Sequence, residues 1–266
     1  MTGNLLTFLF WLSALILVPA EKYYVTFVKG KVMLEKTHKP LKVGDVLSPE
    51  DKLIFADKTD KVAFISPGKG RFDVNLQAAK GGSKGELFAV LKSSLVPSAG
   101  TYHLSTRSLL FEGYDPATYF ASAATQNRIL LISSEPLQIK PSYKLNEGNF
   151  FFVQFTADDK TITRKVAQKG QAIIFSEMLF LTSLGAMVDH VKLCYQTNDS
   201  GVAKSSVIAS FTPVLAEKEE INEQVKLMTE ISGMADKKKL KTELSNHIYQ
   251  NYGKIGAEEL SRIFGI

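Results

Sequence analysis

The strongest constraint on the fold is a series of short apolar runs, rich in β-branched and aromatic residues and separated by turn residues. Tyr24–Val28, Lys52–Phe55 and Lys61–Ile65 are runs of this kind, and Arg71–Val74 alternates apolar and polar residues at period two. Such residues favour strands. Several strands at intervals of about 8–12 residues are typical of a sandwich or barrel. We therefore expect residues 21–97 to form an all-β domain.

A second series of strand-like runs occupies residues 129–213. Phe150–Phe155 is predicted to pair with Thr161–Val166 in one hairpin, and Val191–Tyr195 is predicted to pair with Ser206–Phe211 in another. Turn residues separate the members of each pair, as hairpins require. This pattern predicts an immunoglobulin-like β-sandwich in general shape, although the Cys…Trp…Cys signature of true immunoglobulin domains is missing.

The connecting segment, residues 98–128, is less regular. It contains a helix start at Asp115-Pro116, where Asp115 would cap the helix and Pro116 would take its first position. After Pro213 the composition shifts towards Glu, Lys, Leu and Ile, and residues 214–266 are predicted to form a helical tail. The fold class predicted overall is mainly β with a C-terminal α-helical segment, as two β-sandwich-like domains followed by two or three short helices.

The N-terminal segment carries an uncharged apolar run from Leu5 to Val18, followed by Pro19 and Ala20. At about 14 residues the run is short of the roughly 20 that a spanning helix needs, and small residues precede the expected cleavage point. Residues 1–20 therefore read as a signal peptide, which predicts a periplasmic or extracellular protein. No Lys or Arg precedes the run, so a retained anchor ending near Lys22 stays open as the alternative. Membrane contact is expected only in that case.

Four stretches of the first β region together resemble the FecR-type β domain. They are Val28–Val32, Pro40–Leu47, Asp51–Ile54 and Val62–Ile65. The shared pattern is a glycine between two short strands, a Gly-Asp turn, and two apolar strands that follow. The resemblance covers roughly Tyr23–Val74 and implies an extracytoplasmic β module that is often used for interaction.

The sequence departs from the FecR pattern after the third strand, where Ala56-Asp57-Lys58 stands, and at Pro67–Gly70, where an Asp-Gly hairpin is usual. Many members also carry a cytoplasmic segment and a membrane helix that regulate a sigma factor, and this sequence shows neither. The regulatory role is therefore not implied by the resemblance.

Charge is unevenly distributed along the chain, whose net charge is +5. Residues 21–97 hold 14 Lys and Arg against 9 Asp and Glu, whereas residues 214–266 hold 8 against 9. The basic first domain could meet an anionic surface or an acidic partner, but lysines that alternate with apolar residues more often form the solvent face of strands. The helical tail lacks the positive charge that phosphate binding requires, so no nucleic-acid partner is expected.

Recognisable reaction chemistry is sparse. None of the four histidines has a metal-ligand spacing to another, and the single cysteine, Cys194, is expected to be a small core residue. No phosphate loop, nucleophile elbow or paired-carboxylate pattern occurs. We therefore predict no catalytic, cofactor-binding or metal-binding residues and no cofactor. A hydrolase using His103, Ser105 and Asp115 is the less favoured alternative.

The function predicted from these features is that of an exported, non-enzymatic adaptor or assembly protein of the bacterial cell envelope. It would bind protein partners through β surfaces and an amphipathic C-terminal helix. The candidate partner-binding residues are Ile221, Val225, Met228, Tyr249, Tyr252, Leu260 and Phe264. The structural alternative is that these helices form a cap packed on the sandwich.

An alternative function is an extracytoplasmic glycan- or peptidoglycan-binding module. It would present a platform of exposed tyrosines to the sugar rings. The candidates are Tyr23, Tyr102, Tyr114 and Tyr119.

Overall fold

A computed structural model describes residues 21–74, 87–91, 95–97, 113–121, 127–199, 201–232 and 237–265. The chain divides into two compact units, unit 1 (Met1–Ser98) and unit 2 (Ala99–Ile266). The predicted signal peptide and most of the predicted connecting segment lie outside the described residues. Unit 2 includes residues of both the predicted sandwich and the predicted helical tail.

Unit 1 consists of short antiparallel strands in two sheets, ordered β4-β1-β6-β7-β9 and β3-β2-β5-β8. The strands are β1 (Tyr23–Lys29), β2 (Val32–Leu34), β3 (Lys39–Pro40), β4 (Val46–Leu47), β5 (Lys52–Phe55), β6 (Lys61–Ser66), β7 (Gly70–Val74), β8 (Leu87–Val90) and β9 (Leu95–Pro97).

The core of unit 1 is built from the apolar runs that predicted its strands. Leu53 and Phe55 of β5 and Val62 and Phe64 of β6 are fully buried in one cluster. Burial of each such side chain contributes roughly 1.5–3 kcal/mol to folding. Gly30 lies between β1 and β2 at φ +82°, where a Cβ would meet the Asp60 carboxylate at 1.7 Å, so this turn requires glycine.

Unit 2 has a five-stranded sheet, β10-β17-β16-β12-β13, and a three-stranded sheet, β11-β15-β14. Its strands are β10 (Arg128–Ile132), β11 (Pro136–Gln138), β12 (Phe150–Ala157), β13 (Lys160–Lys165), β14 (Ala167–Lys169), β15 (Ala172–Ile174), β16 (Val191–Asp199) and β17 (Val202–Ala216). Its helices are α1 (Pro116–Phe120), α2 (Lys218–Ser232), α3 (Lys237–Asn251) and α4 (Ala257–Phe264), with a 3₁₀ turn at Glu177–Leu179.

The predicted fold class is confirmed: the described residues are mainly β-strand, arranged in several sheets, and three short helices follow the last strand. Both predicted hairpins are present, as β12 with β13 and β16 with β17. Asp115 caps α1 as expected, accepting from the backbone N–H groups of Ala117 and Thr118. The immunoglobulin-like character of unit 2 stays a prediction.

One strand pairing had no sequence signal. β10 runs parallel to the end of β17, with Arg128 opposite Thr212 and Ile132 opposite Ala216. The other side of β10 is bridged by Lys254, whose backbone N–H donates to Arg128 O and whose carbonyl accepts from Leu130 N. This isolated bridge between α3 and α4 attaches the C-terminal helices to the edge of the five-stranded sheet.

The core of unit 2 is aromatic. Phe120, Phe151, Phe175, Phe180 and Phe211 are buried in a single cluster, and the Phe120 ring lies 4.8 Å from the Phe211 ring centroid. Ring pairs of this kind add about 0.5–1.5 kcal/mol beyond the area they bury. Cys194 on β16 is also buried, as predicted for a small core residue, and burial raises the pKa of its thiol.

Candidate functional site

The stripe predicted to bind a partner on the C-terminal helices is turned into the fold. Ile221, Met228 and Leu260 are buried, while Val225 and Phe264 are half-buried. An amphipathic helix buries its apolar stripe against whatever covers it, and here α2 packs against α3 and α4 of the same chain. Most of the stripe is therefore covered by the other C-terminal helices of the same chain, and partner binding through it stays a prediction.

Tyr249 and Tyr252, the two tyrosines predicted at an interface, are also not free surface. Tyr249 is half-buried, and Tyr252, which directly follows α3, is buried. The Tyr252 hydroxyl donates to Glu220 Oε1 at 2.5 Å and accepts from the Gln224 amide. Burial, reinforced by Glu220, raises the pKa of Tyr252. This side chain therefore joins two helices.

The polar network around Tyr252 continues to a buried histidine. Gln224 Oε1 accepts from His247 Nε2 at 2.8 Å, and Asn251 Nδ2 donates to His247 Nδ1 at 3.1 Å. Both ring nitrogens are used, which assigns the neutral tautomer protonated at Nε2. A satisfied buried network fixes the register of the helices that carry it.

The start of α4 holds a buried carboxyl group with a raised pKa. Glu259 is 5% exposed, and burial raises the pKa of its carboxyl to about 7. Tyr119, itself buried, donates to Glu259 Oε2 at 2.5 Å, and the Tyr114 hydroxyl accepts from the Glu259 backbone N–H at 2.8 Å. Gly256 allows this approach, because a Cβ there would lie 2.2 Å from Tyr114 Oη.

Two cationic side chains, Lys254 and Arg262, lie on either side of Glu259 in the sequence and bind neighbouring elements. The Lys254 ammonium donates to the carbonyls of Tyr119 (2.6 Å) and Ala121 (3.1 Å), which lie at the end of α1, where a positive charge is favoured. Burial lowers the pKa of Lys254. Arg262 donates to Pro136 O at 3.0 Å and lies 3.6 Å from Glu135, so α4 is also held to the start of β11.

A cleft of about 360 Å³ lies between α4 and β11. It is lined by Tyr114, Pro136, Leu137, Gln138, Glu258, Glu259, Ser261 and Arg262. Because Glu259 is buried and already bonded to Tyr119, its carboxyl is poorly placed to reach a substrate. The remaining polar lining mixes both signs of charge, so the cleft shows no preference for one class of ligand. In the described part of the chain, no three His, Cys, Asp or Glu side chains gather where a metal ion could bind.

Exposed apolar side chains are concentrated in a different place. Of the six large ones found among the described residues, three fall between residues 177 and 187: Met178 at 71% exposure, Leu184 at 87% and Met187 at 40%. Sequence reasoning missed all three. The available signal was an apolar residue beside a turn glycine, Leu184-Gly185, where polar residues are usual.

The backbone that presents Leu184 is a tight hairpin, residues 180–188. Thr182 N donates to Ala186 O at 2.7 Å, and Gly185 N donates to Thr182 O at 3.1 Å. Gly185 has φ +77°, as expected where a left-handed residue completes a three-residue hairpin loop. Leu184 therefore stands at the tip of an ordered turn.

The hairpin is anchored at its base and its side. Phe180 and Val188 are buried in the core of unit 2 and are joined by a 2.9 Å backbone bond from Val188 N to Phe180 O. Ser183 Oγ donates to Asp158 in the β12–β13 turn at 3.1 Å. Arg164 of β13 also donates to Met178 O. A fixed scaffold with exposed apolar tips is the arrangement expected of a docking element.

The tyrosines predicted to bind glycans do not form an exposed platform. Tyr23 and Tyr119 are buried, Tyr114 is half-buried, and Tyr102 lies outside the described residues. Tyr23 donates to Glu21 in unit 1, whereas Tyr119 belongs to unit 2. For the hydrolase alternative, Asp115 is used as a helix cap, and His103 and Ser105 lie outside the described residues.

Comparison of the chain with protein-family models, with curated proteins and with solved structures found no match. None of the helices in the described ranges combines the length and apolar character needed to cross a membrane.

Proposed function

We propose that this chain is an exported adaptor or assembly protein of the cell envelope that binds a protein partner through the tip of the hairpin 180–188. The observation that supports this most directly is Leu184, which is 87% exposed on a well-anchored turn. Its side chain contributes little to folding and is available for burial in a complex.

The energetics favour the hairpin tip as the centre of an interface. Burying one Leu or Met side chain contributes roughly 1.5–3 kcal/mol. Because the loop is already ordered by its own hydrogen bonds, little conformational entropy remains to be lost on binding. Met and aromatic residues are enriched at interfaces relative to the rest of a protein surface. Met187 lies on the same hairpin and Met178 lies two residues before it, and both are exposed.

Export and the FecR-like identity of unit 1 belong to the same proposal. The uncharged run from Leu5 to Val18 supports export. The order of strands in unit 1 supports the FecR-like assignment, because Gly30 separates β1 from β2 and the Gly44-Asp45 turn precedes β4. N-terminal sequencing of the mature protein tests the first point: a chain beginning at Glu21 is expected, and a chain that retains residues 1–20 in the soluble fraction would contradict it.

Partner binding is tested by placing a photo-crosslinking residue at position 184 of the full chain in living cells. A discrete protein adduct is expected. The matched control is position 202, because Val202 is exposed to 58% but belongs to the β16–β17 hairpin instead. Equal adducts from both positions, or crosslinks from position 184 to lipid alone, would overturn the proposal of a protein-binding hairpin.

A further inference from the structure

A groove of about 440 Å³ lies on unit 1, where the end strands of its two sheets, β3 and β4, both reach the surface. Its lining is formed by Leu34, Lys36, Thr37, Lys39, Pro40, Lys42, Asp45, Val46 and Leu47. Its aliphatic lining includes the buried Leu47 and the half-buried Leu34, whereas its three lysines are exposed. This combination suits a ligand that is extended and negatively charged.

The backbone of β4 can accept another strand. Val25 N donates to Asp45 O, and Val25 O accepts from Gly44 N. Tyr23 lies opposite Leu47. The backbone polar groups of Tyr23 and Val25 therefore point towards β4. Alternation along an antiparallel ladder then directs the N–H and C=O of Val46 away from β1, towards the open edge. The Val46 side chain is 50% exposed at the same place.

The edge of β3 is closed to this use. Leu41 N donates to Val32 O, so the neighbouring Pro40 faces away from β2, and proline has no N–H to donate. A proline on an end strand limits unwanted pairing. The two edges of the groove therefore differ, and β4 is the one that can pair with an added strand.

The charge of the groove is positive. Lys36 is paired with Asp51 at 2.8 Å, but Lys39 and Lys42 are exposed and have no ion-pair partner among the described residues. Asp45 is the one acid in the lining, and its carboxylate accepts from the backbone N–H of Lys42 at 2.8 Å, which holds the turn. Two ammonium groups thus remain for a ligand.

We propose that this groove binds an extended acidic peptide segment, which adds as a strand beside Val46 and places its carboxylates near Lys39 and Lys42. The lining contains no aromatic ring on which a sugar could stack. A flat membrane surface does not fit a concave site. This peptide site goes beyond the adaptor role proposed for unit 2 and does not depend on it, because Leu184 belongs to the other unit.

The expected mode of binding is weak and dependent on salt. β4 has only two residues, so strand addition supplies few backbone hydrogen bonds. Most of the affinity must come from the two exposed lysines, and interactions of exposed charges are screened at high ionic strength.

The test uses the full chain and a fluorescent peptide of about seven residues that alternates glutamate and threonine, followed by anisotropy at low salt. Binding is expected, with loss of about tenfold or more in affinity for the double variant Lys39→Glu, Lys42→Glu. The control is Lys29→Glu, Lys58→Glu, which makes the same charge change at exposed lysines outside the groove lining and is expected to weaken binding much less.

Three further probes separate strand addition from attraction by charge alone. A peptide of the same charge with N-methylated backbone amides should bind weakly. Alginate, an acidic polysaccharide, and phosphatidylglycerol vesicles should bind no better to the parent chain than to the double variant. Failure of the acidic peptide to bind, equal loss in the control variant, equal binding of the methylated peptide, or binding of alginate or vesicles that needs Lys39 and Lys42 would each overturn the proposal.

Discussion

The hydroxyl of Tyr119 donates a hydrogen bond to the buried carboxylate of Glu259, a residue 140 positions further along the chain. The contact joins α1, which precedes the five-stranded sheet of unit 2, to α4, which ends the described chain. The Tyr114 hydroxyl accepts a hydrogen bond from the backbone N–H of the same Glu259. The C-terminal helix is thus held by polar contacts as well as by its apolar face, and because one of these contacts is made by a titratable carboxyl group, we expect the attachment to depend on pH.

The stability of unit 2 should fall as pH rises from about 5 to 8. The pKa of Glu259 is about 7 in the fold and 4.5 without the fold, so between these values the folded state holds a proton that the unfolded chain releases. The stabilisation that the bound proton provides is complete below pH 4.5 and is lost as the pH rises through about 7. The loss from this group is at most about 3 kcal/mol, measured by urea unfolding across pH.

The variant Glu259→Gln isolates this contribution. Its amide stays neutral and can still accept from Tyr119, so its stability should vary less with pH and exceed that of the parent at pH 8. Glu223→Gln is the matched control, because Glu223 is exposed on α2. A Glu259→Gln variant with the same pH slope as the parent would show that Glu259 is not the titrating group.

The substitution Gly253→Ala should destabilise unit 2 strongly. Gly253 has φ +122°, and an added Cβ would lie 2.5 Å from the Arg128 carbonyl oxygen, where the chain crosses β10. We expect a loss of more than about 2 kcal/mol, since conformational strain and a backbone clash act together. Gly170→Ala is the control, because Gly170 also has positive φ but open space around it. Equal shifts of the thermal midpoint would contradict this account.

Sequence patterns were sufficient to predict many elements of local origin. β5 begins and ends at the predicted residues, Lys52 and Phe55, because its apolar run and the turn residues beside it act over a few positions. The parallel pairing of β10 with β17 and the Tyr119–Glu259 contact could not be predicted, because both depend on segments far apart in the chain. The spacing of Ile221 and Leu260 in the sequence predicts an apolar helix face that something must cover. It does not say whether a partner or the same chain covers that face, and in the structure the same chain does.

The hairpin 180–188 shows that apolar residues in a sequence need not be buried. Leu181, Leu184 and Val188 look alike in the sequence, yet Val188 is buried while Leu184 is 87% exposed. The difference arises from the backbone, which turns at Ser183–Gly185 and places Leu184 at the tip. Apolar composition alone therefore cannot separate a residue that stabilises the core from one available to a partner.

Within this hairpin, we expect Phe180 to be needed for stability and Leu184 to be dispensable for it. Leu184→Ser should change the free energy of unfolding by less than about 0.5 kcal/mol, because the side chain is exposed. Phe180→Ala should cost about 3–5 kcal/mol, because Phe180 is fully buried in the aromatic core. Chemical denaturation of the two variants measures both values. A large loss for Leu184→Ser would mean that Leu184 serves the fold.

The most direct measurement of the central claim is the affinity of the partner captured through position 184 for the purified chain and for Leu184→Ser, determined by calorimetric titration. Burial of the leucine in the complex predicts a loss of at least about tenfold for Leu184→Ser. Val202→Ser should leave the affinity unchanged, because Val202 lies on the β16–β17 hairpin. Equal affinities for the parent chain and Leu184→Ser would contradict the assignment of the hairpin as the docking site.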